Sequence, residues 1–254
     1  MKKGAVVIVT GGNGVIGGAI AERIRSCGAD PVIFDLKTPD GYEVDITDYV
    51  SVEAAVRSVV EKYGHVDGLV NCAGGSARGE MRLFTEQKIE VIKRILEVNL
   101  FGTFYCTRAV VPYLIGQKSG VILNVSSAVA LGGLEGCSDY GAAKGGVIAA
   151  TKAWAMEFGP WNIRVNCVCP GKVQRPDEMP ADPRTFARRY CFLNRLCTPE
   201  DIASAAEFLL DDGKSGFVTG QNYVVDGGRS LGLKGDHWPD WSTRPPCDAG
   251  REHS

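Results

Sequence analysis

A tyrosine and a lysine four residues apart, Tyr140 and Lys144 in the run Tyr140-Gly141-Ala142-Ala143-Lys144, are the pair in this chain best suited to moving a proton. On a helix, residues at i and i+4 share a face. A cation within roughly 4–6 Å of a phenol favours the phenolate and draws its pKa down from about 10 towards neutrality. A tyrosine held in that way can serve as a general acid or base. The same pair also arises as a packed ring beside a solvated amine, so its meaning depends on what surrounds it. Two further groups bear on it. In Thr10-Gly11-Gly12-Asn13-Gly14-Val15-Ile16-Gly17, the residues Gly12, Gly14 and Gly17 have the G-x-G-x-x-G spacing. Such a loop turns tightly, approaches a pyrophosphate and aims a helix N-terminus at it. About 20 residues further on, Asp35 closes an apolar run, where an acid would meet the ribose hydroxyls of a dinucleotide.

These side chains need a scaffold to bring them together. The chain alternates short β-branched runs with longer amphipathic stretches, the pattern of strand-helix-strand units in a parallel sheet. Strands are expected over 5–9, 32–34, 41–46, 66–70, 121–125 and 163–168, and helices over 16–27, 48–63, 85–114 and 140–158. The strand over 66–70 delivers Asn71-Cys72-Ala73-Gly74-Gly75 to the carboxyl edge, where open α/β sheets bind ligands and small residues let a cofactor lie close. Asn99 falls among apolar residues of the long helix, so it either braces backbone or holds a water. The strand over 121–125 ends in Ser126 and Ser127.

Composition narrows the class. With 254 residues, 44% hydrophobic and 23% charged, the chain can bury a full core as one domain. A formal net charge of −2 gives no basic field for nucleic acid or an anionic membrane. No apolar run approaches the roughly 18 residues of a membrane span, and the first residues lack a signal-peptide pattern, so a cytoplasmic protein is expected. The nine cysteines, an odd number scattered among apolar neighbours, read as reduced packing residues, and with three histidines no metal site is expected.

From about residue 3 to residue 230 the chain resembles a classical short-chain dehydrogenase/reductase. The resemblance rests on residues 10–17, Asp35, Asp45, Asn71-Cys72-Ala73-Gly74, Asn99, Ser127, the Tyr140/Lys144 pair, Pro170-Gly171 and Asp226-Gly227-Gly228, in order and at family-like spacing. It implies a single α/β domain over 1–234, a Rossmann-type doubly wound parallel sheet with helices on both faces. It implies that Tyr140 is the general acid/base, Lys144 its electrostatic partner and ribose ligand, Ser127 the substrate hydrogen-bond donor and Asn99 the anchor of a proton-relay water. Cofactor contacts would come from Gly11, Asn13, Gly14, Val15 and Ile16, from Asp35, Leu36, Asp45 and Ile46, and from Asn71, Ala73, Gly74, Tyr140, Lys144, Pro170, Gly171 and Val173. Ser126 reads as a strand-end hydroxyl satisfied locally.

Three positions depart from the family pattern: Val15 replaces the middle glycine of the loop, Cys72 replaces the second asparagine of N-N-A-G, and Arg175 stands where many members carry a threonine that binds the carboxamide. The stretch 172–196, where relatives place a substrate lid, carries Arg175, Arg184, Arg188, Arg189 and Arg195, which would suit an anionic group if they converged. The tail over 235–254, with Trp238 and Trp241, is either disordered or docked on a neighbouring subunit. The resulting expectation is an NAD-dependent enzyme, Asp35 followed by Leu36 favouring NAD over NADP. It would interconvert a secondary alcohol and a ketone on a sugar or cyclitol, hydroxysteroid or 3-oxoacyl substrate. A homotetramer is expected from the resemblance, through the helices over 85–114 and 138–158. An extended-type sugar-nucleotide epimerase or dehydratase, suggested by the glycine spacing, and a non-catalytic dinucleotide sensor are the alternatives.

Overall fold

Every residue of β1 (Val6–Thr10) is buried, and its successive side chains enter two different cores. Val6 and Ile8 pack with Phe34, Val52 and Val110, whereas Val7 and Val9 pack with Ile20, Ile33 and Ile202. Apolar residues at both phases of a period-two pattern are what a strand covered on both faces requires. The structure, a computed structural model, describes residues 1–77, 79–175 and 191–231. Beyond β1 these contain β2 (Asp30–Asp35), β3 (Tyr42–Glu43), β4 (Gly68–Asn71), β5 (Gly120–Val125), β6 (Ile163–Pro170) and β7 (Asn222–Val225). The order across the sheet is β3-β2-β1-β4-β5-β6-β7, with every pairing parallel. From β1 the chain moves outward to β2 and β3, then returns to lay β4 on the other side of β1. That reversal leaves a crevice at the carboxyl ends of β1 and β4, where a ligand can enter an open α/β sheet.

Helices cover both faces, as the doubly wound reading requires. On one face α1 (Val15–Ser26) packs against α7 (Pro199–Leu210); on the other lie α2 (Tyr49–Tyr63), α4 (Gly102–Gln117) and α6 (Ser138–Phe158). Two starts are specified locally. The Asp48 side chain accepts from the Val50 amide to cap α2, and Thr198 forms a reciprocal capping box with Asp201 at α7. Two short helices, α5 (Val129–Gly132) and α8 (Asp212–Ser215), also lie among the described residues.

The expected strand over 41–46 shrinks to the two residues of β3, because Asp45 Oδ1 accepts from both the amide and the hydroxyl of Thr47 and turns the chain out of the sheet towards α2. The expected helix over 85–114 is not continuous. A 3-10 turn (Phe84–Glu86) precedes α3 (Ile89–Leu96), a π-helical turn (Glu97–Phe101) follows, and α4 then runs on to Gln117. Arg184, Arg188, Arg189, the tail over 235–254 and the domain limit at 234 lie outside the described residues.

Candidate active site

The glycine loop is packed tightly, and at two points directly against backbone. Gly11 has φ of 65°, and a Cβ there would lie 2.8 Å from the Ala73 Cα; a Cβ on Gly17 would lie 2.2 Å from the Gly11 carbonyl oxygen. Only glycine fits either place, so α1 is seated hard against the loop and the loop against the end of β4. Gly14 is looser, with one contact at 3.1 Å, and Val15 is accommodated half-buried at the first position of α1. The shifted glycine is therefore a local adjustment around the same close approach. No acidic residue stands in the first turn of α1, which leaves its N-terminal amides and dipole open to an anion.

Asp35 stands across from this loop. Its Oδ2 accepts from the Asn13 amide at 3.0 Å and its Oδ1 from the Leu36 amide at 2.8 Å, while Asn13 Nδ2 donates to the Lys37 carbonyl at 2.7 Å. The acid is thus fixed at the mouth of the cleft, and each of its oxygens retains capacity for a further donor.

At the end of β4 the chain turns under a single hydroxyl: Thr10 Oγ1 accepts from the amides of Cys72 at 3.0 Å and Ala73 at 3.1 Å. Cys72 thus loses no backbone contact there, and burial pushes its thiol up to about 11, so it is a neutral wall. Asn71 is placed differently from its neighbours in this segment. Its side chain does not line the cleft but turns beneath it, donating to Thr107 Oγ1 at 3.0 Å and Asn124 Oδ1 at 2.9 Å. Successive side chains on a strand alternate sides, and here it is Cys72 that faces the cleft.

Asn99 lies in the π-helical turn, wholly buried. Its Oδ1 accepts from the Gly75 amide at 2.9 Å, and its Nδ2 donates to the Gly75 carbonyl at 3.0 Å and the Ile95 carbonyl at 2.9 Å. The side chain thus braces the backbone behind Gly74, where a Cβ would lie 2.3 Å from Asn99 Oδ1.

Helix α6 brings Tyr140 and Lys144 onto one face, the lysine Nζ 5.9 Å from the centre of the tyrosine ring. The ring packs against Ala77, Val91 and Ile95. Lys144 is almost fully buried, its Nζ donates to the Val125 carbonyl at 2.9 Å, and burial lowers its pKa below the ordinary lysine value. Ser126 Oγ donates to the Lys144 carbonyl at 2.8 Å, the satisfied role expected of it, although the partner is 18 residues away. Ser127 Oγ accepts from the Val129 amide at 3.2 Å and can still donate its proton.

These elements enclose a cleft of about 580 Å³. It is lined by every residue named for catalysis or cofactor contact from sequence except Asn71 and Asn99. It also takes in Gly17, the last glycine of the loop motif, and Phe34, Val44, Thr47, Ser76, Val98 and Lys172, which belong to no motif. The steric cradle of Gly11 and Gly17, the open α1 N-terminus and the distant acceptor Asp35 together fit an extended dinucleotide with a central pyrophosphate and a terminal ribose. Arg195, by contrast, is not in the cleft: it is drawn to Asp201 at the start of α7, its Nη2 at 2.9 Å from Oδ1.

Residues 10–230 match the family model described as enoyl-(acyl carrier protein) reductase. The chain belongs to the short-chain dehydrogenase/reductase family. It is 36% identical over 244 residues to a 3-oxoacyl-(acyl-carrier-protein) reductase of Thermotoga maritima, covering 89% of this chain and 98% of that one. It is 34% identical over 239 residues to a meso-2,3-butanediol dehydrogenase of Serratia marcescens, covering 88% and 93%. Among solved structures, the ligand-free aldohexose dehydrogenase of Thermoplasma acidophilum superimposes with a TM-score of 0.83 at 31% identity, over 91% of this chain and 96% of that one. The family consists of oxidoreductases that use a nicotinamide dinucleotide and act on alcohols, ketones or 3-oxoacyl compounds. Among the described residues no helix is long and apolar enough to cross a membrane, and no cluster of potential metal ligands is found.

The Asn99 brace has a measurable consequence. Asn99→Ala removes three hydrogen bonds and leaves the Gly75 backbone unsatisfied, so a destabilisation of about 2–4 kcal/mol is expected from lost bonds and stranded polar groups. Chemical denaturation of the cofactor-free protein measures it; a loss below about 0.5 kcal/mol would contradict the bracing role.

Proposed function

We propose that the protein is an NAD-dependent oxidoreductase that interconverts a secondary alcohol and a ketone, with Tyr140 as its proton-transfer group. The observation that carries this reading is the convergence of Ser127, Tyr140 and Lys144 on the cleft that also receives the glycine loop and Asp35. The nicotinamide, when bound, supplies the hydride acceptor or donor. What remains for the protein is the proton on the alcohol oxygen. Tyr140 would take that proton during oxidation and return it during reduction. Lys144 holds positive charge near the ring in a site shielded from water, which favours the tyrosinate, and it can donate to the ribose hydroxyls. The Ser127 hydroxyl would donate to the substrate oxygen as negative charge grows there. Asp35 would accept from the adenosine ribose, and Asn99 would keep Gly74 and Gly75 close beneath the cofactor.

Within the sugar or cyclitol, hydroxysteroid and 3-oxoacyl classes, exposed apolar residues of two segments that meet close to Tyr140 in the chain support a substrate with an apolar body. Exposed Met81, Leu83 and Phe84 come from one segment and Leu131 and Leu134 from another. The two segments meet where Cys137 Sγ lies 3.0 Å from Met81 Sδ, three residues before Tyr140. Retention of Ser127, Tyr140 and Lys144 together argues for turnover over a sensor role.

Tyr140→Phe is expected to lower kcat by about 10²–10⁴-fold while NAD affinity stays nearly unchanged, because only the proton-transfer group is removed. Steady-state rates with a panel of secondary alcohols, followed by NADH absorbance, give the answer; a residual rate above about a tenth of wild type would sink the assignment. Cofactor preference follows from Asp35: an NADP 2′-phosphate would bring nearly two negative charges close to its carboxylate, at about 1–4 kcal/mol per charge pair for an effective dielectric of 80 to 20. The ratio of kcat/KM for NAD over NADP should exceed about tenfold, and equal values would refute this role. We also propose a homotetramer, supported by the partly exposed aromatic rings of Phe101 in the π-helical turn, Phe104 on α4 and Trp154 on α6, with Phe104 and Trp154 centred 4.9 Å apart. Light scattering that gave only monomer at micromolar concentration would overturn it.

A further inference from the structure

Arg175 lines the cleft half-buried, and among the described residues it has no carboxylate partner. In this it differs from Arg23, Arg25, Arg94, Arg164 and Arg195, each of which meets an acid. A guanidinium partly withdrawn from water without a counter-charge is unfavourable, and its planar fork of donors matches the oxygens of a phosphate. The backbone supplies a direction. Val173 forms a parallel bridge with Cys197, and the Gln174 amide donates to the Cys197 carbonyl at 2.7 Å, so this short stretch is extended. Residues two apart on extended backbone project to the same side. Arg175 therefore shares the side of Val173, which is buried in the core that also holds Ile16 and Ile20 of α1. That is the side of the sheet on which the α1 N-terminus, free of acidic residues, opens into the same cleft.

We propose that Arg175 binds the pyrophosphate of the dinucleotide, opposite the amides of the α1 N-terminus. A full positive charge thus takes the place where the family pattern has a neutral hydroxyl. The inference rests on the dinucleotide-binding reading given above and concerns one anionic part of that ligand. It implies that cofactor affinity in this chain depends on ionic strength more steeply than a hydroxyl contact would allow.

The test is equilibrium binding, independent of turnover. Dissociation constants for NADH, ADP-ribose and adenosine are measured by calorimetry at two salt concentrations for the wild type, Arg175→Gln and Arg175→Lys, with thermal unfolding of each cofactor-free protein as a control. Arg175→Gln should weaken NADH and ADP-ribose by the same factor, about tenfold or more, as expected for loss of a charge-assisted hydrogen bond. It should leave adenosine within about twofold and flatten the salt dependence, and Arg175→Lys should recover part of the loss. Unchanged affinity for NADH and ADP-ribose in Arg175→Gln would overturn the proposal. So would weakening of NADH alone, which would assign Arg175 to the nicotinamide, or a raised KM for a carboxylate-bearing alcohol with unchanged cofactor affinity, which would assign it to substrate. Should Arg175→Gln not fold, the wild-type salt dependence still decides, and affinity insensitive to salt overturns the inference. A wild type that binds neither NADH nor ADP-ribose would remove the dinucleotide reading itself.

Discussion

Strands β4 and β5 stop exchanging hydrogen bonds after Asn71 and Asn124, and the rest of the site depends on how the backbone groups freed by that divergence are satisfied. A buried amide or carbonyl without a partner is costly. Here the partners are side chains. The Val125 carbonyl takes the Lys144 ammonium, and the amides of Cys72 and Ala73 take the Thr10 hydroxyl. The crevice can stay open because each strand end that borders it is completed by a side chain instead of by the backbone of a neighbouring strand. The lysine in turn is fixed at both ends, its Nζ on Val125 and its carbonyl receiving the Ser126 hydroxyl. A side chain that satisfies the sheet and charges the site performs both tasks with one placement.

Below the cleft a second set of buried polar contacts ties helices to strands. Thr107 of α4, Asn71 of β4, Asn124 of β5 and Thr151 of α6 form a hydrogen-bonded series, with Thr151 donating onward to the Val147 carbonyl within α6. Polar groups so deep are as a rule paired, and Asn71 Oδ1 is the one side-chain atom of this series without a partner among the described residues. Unlike the apolar contacts around them, such pairs are directional, so they set the height and rotation of α6 against the sheet. Tyr140 and Lys144 ride on that helix.

What the sequence discloses follows from the range of each interaction. The glycine loop, Asp35 and the Tyr140/Lys144 pair depend on spacing within one segment or one strand-helix-strand unit, and they were legible. The downward turn of the Asn71 side chain was not legible, because its partners, Thr107 and Asn124, are distant in the chain. The matching asparagines at the ends of two apolar strands were the available signal. The π-helical turn within the stretch 85–114 has no propensity signature, and Asn99 inside it bonds to Gly75, a contact that exists only once β4 has delivered the glycines. The truncation of β3 was accessible in principle, since an aspartate two residues before a threonine is a turn signal, but the apolar Val44 and Ile46 concealed it.

The π-helical turn also bears on how this protein tolerates changes of length. A wider turn accommodates an additional residue without ending the helix, and removing one between Glu97 and Phe101 would let α3 and α4 join as an uninterrupted α-helix. Each residue of an α-helix turns the chain by about 100°, so the deletion would alter the relative rotation of the two helices, with α3 carrying Val91 and Ile95 against Tyr140 and α4 carrying Cys106, Val110 and Leu114 against the sheet. Both could not keep their contacts. The segment is therefore fixed in residue number as well as residue type, and a gap here is incompatible with the site even where every motif on either side survives.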